Sequence, residues 1–254
     1  SDYRDVQDPA ITVAMPLVDD PKTSLLIWTT TPWTLPSNLA IAVGEDVEYV
    51  KVRVDDDNAY IVAAQRAETV LGKELDILER FKGTALVGSA YAPLFDDFKD
   101  HPNAFQVIVS SHVTTDDGTG LVHMAPDFGE DDFAACQKNG IDVVLSVDNE
   151  GNFTESVSQF AGQNIKAADP SIIRVIKDMK RLVKHETIQH NYPFCYRSGT
   201  PLIYKAVPTR MIRVTALKDR MVRHNQDIHW VPDSIGQKRF GNWLTDARDW
   251  NVSR

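Results

Sequence analysis

Two polar segments of this 254-residue chain contain residue types that could bind and cleave a small polar substrate. The first is 28–38, in which four threonines, a serine and an asparagine follow an apolar run. Hydroxyl and amide groups both donate and accept hydrogen bonds, which suits ribose hydroxyls, base edges and an ester carbonyl. A threonine-rich strand end is the alternative interpretation, because Thr is a good strand former. Two tryptophans and two prolines in the same eleven residues favour the wall of a binding pocket.

The second segment is 118–133, which begins with Gly-Thr-Gly and contains one histidine and three consecutive acids. The glycines indicate a close backbone approach or a positive φ. A short strand should then present His123, which taken alone is more often a structural histidine than a reactive one. The acids at 130–132 sit where a helix would begin and would be stabilised by its dipole. Alternatively, one of them points into a cleft and binds an ammonium group.

The elements that must position these segments are mostly strands in the first 150 residues. The predicted fold class is mainly β with α (α+β), a barrel or sandwich with peripheral helices. A turn at 55–58 should join two strands, and a helix beginning at Pro170 should be capped by Asp169. The predicted strands are Ser24–Thr30, Leu39–Val43, Val47–Val54, Ala59–Ala63, Phe105–Ser110, Leu121–Met124 and Asp142–Val147. The predicted helices are Gln65–Leu71, Glu130–Asn139 and Pro170–Lys184, the first two ending at glycines.

The net charge of −9 hides a strong asymmetry along the chain. Residues 1–150 have 10 Lys and Arg against 27 Asp and Glu, whereas residues 174–223 have 12 against 3. A clustered basic segment is typical of a phosphate-backbone partner, although a solvated helix face is the simpler alternative. The overall pI of 5.2 argues against non-specific nucleic-acid binding by the chain alone. The candidate contacts with a phosphate backbone are Lys177, Lys180, Arg181, Lys184, Arg210, Arg213 and Arg220.

Targeting signals and metal motifs are weak or missing in the sequence. No apolar run approaches the length of a membrane span, and two cysteines suit a reducing compartment, so we expect a cytoplasmic protein. The absence of an initiator Met suggests a piece of a larger protein. His185 and His190 resemble a metalloprotease pair, but their i, i+5 spacing would separate them by about 140° on a helix. Even with Cys195 nearby, we predict no metal site.

Both polar segments resemble signatures of one family. Thr29–Asn38, which reads TTTPWTLPSN, resembles the threonine-rich peptide of the editing (CP1) domains of isoleucyl-tRNA synthetases, class I aminoacyl-tRNA synthetases. Gly118–Asp132 is similar to their second signature. The valyl and leucyl relatives carry Thr-Thr-Arg-Pro in the first segment and lack a histidine matching His123. The amino-acid sequence of Met124–Asp132 resembles that of eukaryotic cytosolic enzymes more than that of bacterial ones. Residues 191–254 resemble the chain that returns to the synthetic domain.

The resemblance implies a β-barrel-like editing domain over residues 1–190 and a basic connecting segment over 191–254. The implied reaction is hydrolysis of valyl-tRNA(Ile), and of valyl-adenylate as a second substrate, while isoleucine is excluded. A proofreading step is needed because one methylene is worth only ~1–3 kcal/mol in an apolar pocket. The implied partners are the 3′ end of tRNA(Ile) carrying valine, valyl-adenylate and the rest of the synthetase, with no membrane and no DNA.

The resemblance also implies the role of each site residue. Thr29, Thr30, Thr31 and Asn38 hold the terminal adenosine and place the hydrolytic water, while Trp33 and Thr34 line the amino-acid side. Asp132 pairs with the α-ammonium group and His123 narrows the side-chain pocket. Thr30, Asn38 and Asp132 are the residues expected to be catalytic.

Hydrolysis would need no cofactor. ATP and Mg belong to the synthetic domain, whose His-x-Gly-His and Lys-Met-Ser-Lys signatures do not occur in this sequence, so the chain should not aminoacylate tRNA. Two alternatives stay open, a tRNA-end binding module without catalysis and a metal-dependent hydrolase that uses His185, His190 and Cys195.

Overall fold

The computed structural model describes residues 2–253, which divide into two compact units. The first ends at Ala206 and the second begins at Val207. The predicted functional boundary after residue 190 falls within a strand of the first unit, and it stays a prediction about function.

Two sheets form the framework of the first unit. In chain order its strands are β1 (Asp2–Pro16), β2 (Thr23–Thr29), β3 (Ala40–Val43), β4 (Glu48–Arg53), β5 (Ala59–Ala63), β6 (Asp76–Lys82), β7 (Gln106–Val109), β8 (Leu121–Met124) and β9 (Leu182–Phe194). The larger sheet has the order β6-β4-β5-β2-β1-β9 and the smaller has the order β7-β3-β8. Neighbouring strands are antiparallel except β2 with β5 and β3 with β7.

Short helices surround these sheets. They are α1 (Ala67–Leu71), α2 (Glu130–Lys138) and α3 (Ile165–Asp178), with 3₁₀ turns at Pro32–Ser37, Ala64–Arg66, Gly83–Leu86 and Ser158–Phe160. Both predicted terminal glycines are confirmed, because Gly72 and Gly140 follow α1 and α2 with φ of 99° and 70°. One continuous apolar core joins the two sheets to α3, with Ile27, Ile41 and Ile172 fully buried in it.

Six of the predicted strands are confirmed to within about one residue at each end, and 55–58 forms the predicted turn between β4 and β5. The predicted strand Asp142–Val147 is wrong. Its β-branched residues have no neighbouring strand to pair with, and only Val147 makes an isolated bridge, to Phe153. Strands β6 and β9 escaped prediction because they are rich in charged and polar residues, and β1 because its first half is charged and only Ala10–Met15 is mostly apolar. Their extended form depends on pairing with strands far away in sequence.

The predicted helix Pro170–Lys184 is wrong at both ends. Helix α3 begins earlier, because the Asn164 side chain caps it by accepting from the Lys166 backbone N–H at 3.2 Å. Asp169 is therefore a buried residue inside the helix and not its cap. The chain leaves the helix after Asp178 and turns at Lys180, whose φ is 58°. Leu182 and Val183, near the end of the predicted helix, consequently belong to β9.

The mixed β and α class is confirmed, but the sheets do not close into a barrel within residues 2–253. None of the helices in that range is long and apolar enough to cross a membrane.

The second unit is smaller and more helical. It contains the short antiparallel strands β10 (Met211–Ile212) and β11 (Trp250–Asn251), the helices α4 (Lys218–Gln226) and α5 (Gly241–Thr245), a 3₁₀ turn at Val214–Leu217 and a π-helical turn at Ile235–Phe240. Within the basic segment 174–223, residues 210–223 form regular helix only from Lys218 onward.

Candidate functional site

The two polar segments meet around one cavity of about 350 Å³ in the first unit. From the threonine-rich segment it is lined by Trp28, Thr29, Thr30, Thr31 and Thr34. The opposite wall is formed by His112, Thr114, Asp117, Gly118, Thr119, Gly120, Leu121, Val122, His123, Ala125, Phe128 and Asp132. Six of the eight sequence-predicted site residues therefore surround a single space; the other two, Trp33 and Asn38, lie behind its wall.

The threonine-rich wall owes its shape to the 3₁₀ turn that follows β2. Pro32 begins the turn and Pro36 lies inside it, and their fixed φ suits this tight geometry. The Thr31 hydroxyl lies 3.2 Å from that of Thr29 and 3.4 Å from that of Thr34. The Thr30 side chain makes no hydrogen bond within residues 2–253 and borders the cavity. The wall thus offers a row of hydroxyls with one of them uncommitted.

His123 reaches the cavity from β8, where it pairs with Ile41 of β3. Its imidazole is only 8% exposed and is bonded at both nitrogens, Nε2 to the Thr34 hydroxyl and Nδ1 to the Asn38 amide, each at 2.8 Å. Burial lowers the pKa of His123 to about 4, because the charged form would lose its hydration. The ring is therefore neutral at physiological pH and is held firmly in place.

Asp132 lies in the first turn of α2 and is the partly buried one of the two carboxylates that line the cavity, because Asp117 is exposed. Its Oδ2 accepts from the Ala125 backbone N–H at 2.9 Å. Burial raises the pKa of Asp132, while the Ala125 N–H and His112 act in the opposite direction. A side chain at Gly129 would come within 3.2 Å of the Asp132 carboxyl carbon, so glycine there preserves this arrangement.

Trp33 and Asn38 are not among the residues that line the cavity. Trp33 is buried and packs edge-on against Phe128, with ring centroids 4.8 Å apart, so it supports a lining residue from behind. Asn38 is also buried, and its amide contacts His123, Tyr91 and the Ala40 carbonyl. The expected contacts of these two residues with a substrate are therefore indirect in this structure.

Three of the lining residues to which the sequence assigned no individual role have notable contacts. His112 lies in the cavity wall with Nδ1 bonded to the Ser110 hydroxyl at 2.5 Å and Nε2 buried without a partner in the described range. Trp28 packs against Gly118, where an added Cβ would lie 3.1 Å from the indole. Phe128 completes the apolar part of the wall. No sequence pattern pointed to His112 as a site residue, because its position in the cavity wall depends on a loop whose path the sequence did not predict.

The candidate tRNA contacts are distributed over both units. Lys177 and Lys180 are exposed at the end of α3, and Lys184 on β9 pairs with Glu186 at 2.9 Å. Arg181 differs, because its Nη1 donates to the carbonyls of Pro93 at 2.7 Å and Ala92 at 3.3 Å. It is the candidate we expect to contribute least to binding. Arg210, Arg213 and Arg220 are exposed in the second unit.

The residues of the metal-dependent alternative do not converge. His185 and His190 lie on β9, where residues separated by an odd number point to opposite faces of the sheet. His190 bonds to Asp8 at 3.0 Å. No group of three His, Cys, Asp or Glu side chains in residues 2–253 is arranged to hold a metal ion.

Comparison with known proteins places the chain in a family. The family model of class I tRNA synthetases (I, L, M and V) matches residues 2–254. The chain belongs to this family. It is 51% identical to isoleucine–tRNA ligase of Bdellovibrio bacteriovorus, a match that covers 99% of the chain and 24% of that protein. It is 48% identical to the cytoplasmic isoleucine–tRNA ligase of Mus musculus, covering 99% and 21%.

These class I relatives are much longer than the chain, which spans about a quarter of their length. Bacterial and eukaryotic cytoplasmic enzymes match it almost equally, so the identities do not separate the two types, and the eukaryotic character stays a prediction.

Solved structures show the same fold at low sequence identity. A crystal structure of GlLeuRS-CP1 aligns with a TM-score of 0.55 and 17% identity, covering 69% of this chain and 96% of that one. The cytosolic leucyl-tRNA synthetase editing domain of P. knowlesi aligns with a TM-score of 0.50 and 12% identity, covering 72% and 96%. The chain thus has the fold of these synthetase domains, while its sequence is most similar to isoleucine–tRNA ligases among the relatives described above.

Proposed function

We propose that this chain is the proofreading part of an isoleucyl-tRNA synthetase and hydrolyses valine from mischarged tRNA(Ile). The observation that carries the proposal is a single cavity bordered by the hydroxyl-rich turn, a neutral buried histidine and a shielded carboxylate. Similarity to isoleucine–tRNA ligases over almost the whole chain supports the choice of amino acid. Valyl-adenylate is the second proposed substrate, because it presents valine through a comparable labile acyl bond.

The cavity has groups suited to each part of an aminoacyl ester. The Asp132 carboxylate would pair with the α-ammonium group, and such charge-assisted contacts are strong when water is excluded. The threonine hydroxyls would bind the ribose and orient water at the ester carbonyl. Aminoacyl esters are already labile, so positioning and a preorganised polar wall can supply much of the acceleration. We propose that the chain acts without a covalent nucleophile or a metal.

His123 is proposed to act as a steric wall. Both of its nitrogens are already hydrogen-bonded to protein groups, so neither is available to take a proton from water. A rigid imidazole beside the amino-acid pocket would accept valine and clash with the longer side chain of isoleucine. The synthetic reaction, with its ATP and Mg, belongs to the remainder of the synthetase, which we propose as the chain's covalent partner.

Substitution of His123 by Ala tests the proposal through a gain of activity. The unmodified chain should release valine from valyl-tRNA(Ile) and leave isoleucyl-tRNA(Ile) intact. The variant should cleave both, because the space for the extra methylene is opened, and the lost discrimination should be roughly 10–200-fold. Release of radiolabelled amino acid from each charged tRNA measures the two rates.

His101→Ala is the control, because that imidazole lies outside the cavity. Loss of both activities in a folded His123→Ala protein would instead indicate a general base. No release of valine by the unmodified chain, with tRNA still bound, would favour a binding module without catalysis.

A further inference from the structure

The orientation of the Asn38 amide is fixed by a backbone carbonyl. Its Nδ2 lies 2.9 Å from the carbonyl oxygen of Ala40. A carbonyl oxygen can only accept, so the atom facing it must be the amide nitrogen. The amide oxygen then faces the Tyr91 hydroxyl at 2.7 Å and accepts its proton. The usual ambiguity between amide oxygen and nitrogen is therefore resolved by the chemistry of the neighbours.

This orientation determines where the proton of His123 resides. The second hydrogen of Asn38 Nδ2 points to His123 Nδ1 at 2.8 Å, so Nδ1 must be an unprotonated acceptor. A neutral imidazole then carries its hydrogen on Nε2, which donates to the Thr34 hydroxyl oxygen at 2.8 Å. Thr34 in turn donates its own hydrogen to the Thr31 carbonyl, also at 2.8 Å. In this series of hydrogen bonds, from Tyr91 to Thr31, every donor is matched to one acceptor.

From this series of hydrogen bonds we infer that Tyr91 and Asn38 are positioning residues that hold His123 in its neutral Nε2–H tautomer. They thereby commit the Thr34 hydroxyl hydrogen to the Thr31 carbonyl, so that toward the cavity Thr34 can act only as an acceptor, of a ligand donor or of the Thr31 hydroxyl 3.4 Å away. A ligand group beside Thr34 must therefore be a donor, such as an ammonium or a water, and not a carbonyl. The inference deepens the proposed function, on which its substrate readout rests.

Tyr91 stands at the end of this series of hydrogen bonds, farthest from Thr34, and does not line the cavity. It is 1% exposed and packs edge-on against Phe105, with centroids 6.0 Å apart. Its hydroxyl is the one donor to the Asn38 amide oxygen among residues 2–253. Because Asn38 is buried, removal of that hydroxyl leaves a buried acceptor unsatisfied, and the amide that fixes His123 is held less firmly.

Nitrogen NMR of the histidine-labelled 254-residue chain tests the inference without any substrate. We expect the unmodified protein at pH 7 to show His123 with protonated Nε2 and unprotonated Nδ1. In Asn38→Asp both side-chain oxygens accept, so Nδ1 should become protonated. In Tyr91→Phe the Asn38–His123 bond weakens, and the Nδ1 resonance should move toward that of an unbonded ring nitrogen. A protonated Nδ1 in the unmodified protein would overturn the inference.

Tyr49→Phe is the matched control, because it also removes a buried tyrosine hydroxyl, one that donates to the Gly120 carbonyl at 2.7 Å. Both variants should lose stability, but Tyr91→Phe alone should shift the His123 signals. It should also lower the preference for valyl- over isoleucyl-tRNA roughly 5- to 150-fold, as expected for one unsatisfied buried acceptor. If the two variants changed the His123 nitrogen signals and the preference for valyl-tRNA equally, Tyr91 would only stabilise the fold, and the inference would be refuted. If the unmodified chain cleaves neither ester, the proposed function fails while the NMR result still decides the tautomer.

Discussion

One carboxylate oxygen of Asp132 is bonded to the protein, and the other makes no hydrogen bond within residues 2–253. Its Oδ2 is bonded to the Ala125 N–H, and the side chain borders the cavity. We expect Asp132→Asn to lower valyl-tRNA hydrolysis roughly 10–150-fold, because a hydrogen bond to a charged group contributes ~1.5–3 kcal/mol. The amide keeps the size of the side chain but loses the negative charge. Single-turnover deacylation rates measure the effect.

The exposed neighbour Asp131 supplies the control for this prediction, and Asp131→Asn should change the rate far less. N-acetylvalyl-tRNA should be a poor substrate of the unmodified chain, because its nitrogen carries no charge. Efficient cleavage of the acetylated substrate would show that Asp132 does not recognise an ammonium group.

Sequence motifs predicted the residues of the site better than their individual contacts. Six of the eight predicted residues line the cavity because the two motifs sit at the ends of neighbouring elements, β2 and β8. The exclusion of Trp33 and Asn38 from the wall depends on how the 3₁₀ turn rotates its side chains inward. Tyr91 could not be found from the sequence, because its contact with Asn38 joins residues 53 positions apart.

At the scale of elements, the 3₁₀ turn Pro32–Ser37 is held at both ends by buried carboxyl groups. Asp169 of α3 accepts from the Trp33 backbone N–H, and Ser37 donates to Ser146, which donates to Asp127 at 2.6 Å. Burial raises the pKa of both Asp127 and Asp169 to about 7. Helix α3 thus begins early enough to place Asp169 next to the turn, whereas the sequence predicted a helix that begins only at Pro170.

These two acids make the stability of the fold depend on pH. Between about pH 4 and 7 the folded state retains protons that the unfolded chain releases, so each acid makes the free energy of unfolding fall as pH rises. The effect of each is at most ~1.4 kcal/mol per pH unit. His123 acts in the opposite direction up to about pH 6.5, because its folded pKa is about 4.

Asp169→Asn isolates one of these contributions. We expect the slope of unfolding free energy against pH between 5 and 7 to become less negative than that of the unmodified chain. Urea unfolding at several pH values measures it. Asp178→Asn, an exposed acid on the same helix, is the control and should leave the slope unchanged. Identical slopes for Asp169→Asn and the unmodified chain would contradict the raised pKa of Asp169.

At the scale of the whole molecule, positive charge is concentrated after residue 173 in an otherwise acidic chain. The sequence predicted this asymmetry fully, since it needs only a count of charges. It did not predict which side chains are free, because that depends on local partners. Lys177 and Lys180 are exposed, whereas the Arg181 guanidinium is bonded to two carbonyls and burial lowers its pKa. The basic segment therefore contains both candidate tRNA contacts and structural charges.

Charge reversal separates these two classes. Lys177→Glu with Lys180→Glu should weaken tRNA binding and flatten its dependence on salt, because each lost phosphate contact removes roughly 0.7–0.9 from the slope of log affinity against log salt. Lys73→Glu with Lys138→Glu changes the net charge equally outside the basic segment and should leave the slope nearly unchanged.

Arg181→Gln should instead lower the unfolding free energy with little effect on the slope, because its carbonyl acceptors lose their donor. Filter binding over a salt series and urea unfolding measure these quantities. Equal slopes for the two double variants would show that the basic segment is a solvated surface, and that tRNA contacts lie elsewhere in the synthetase.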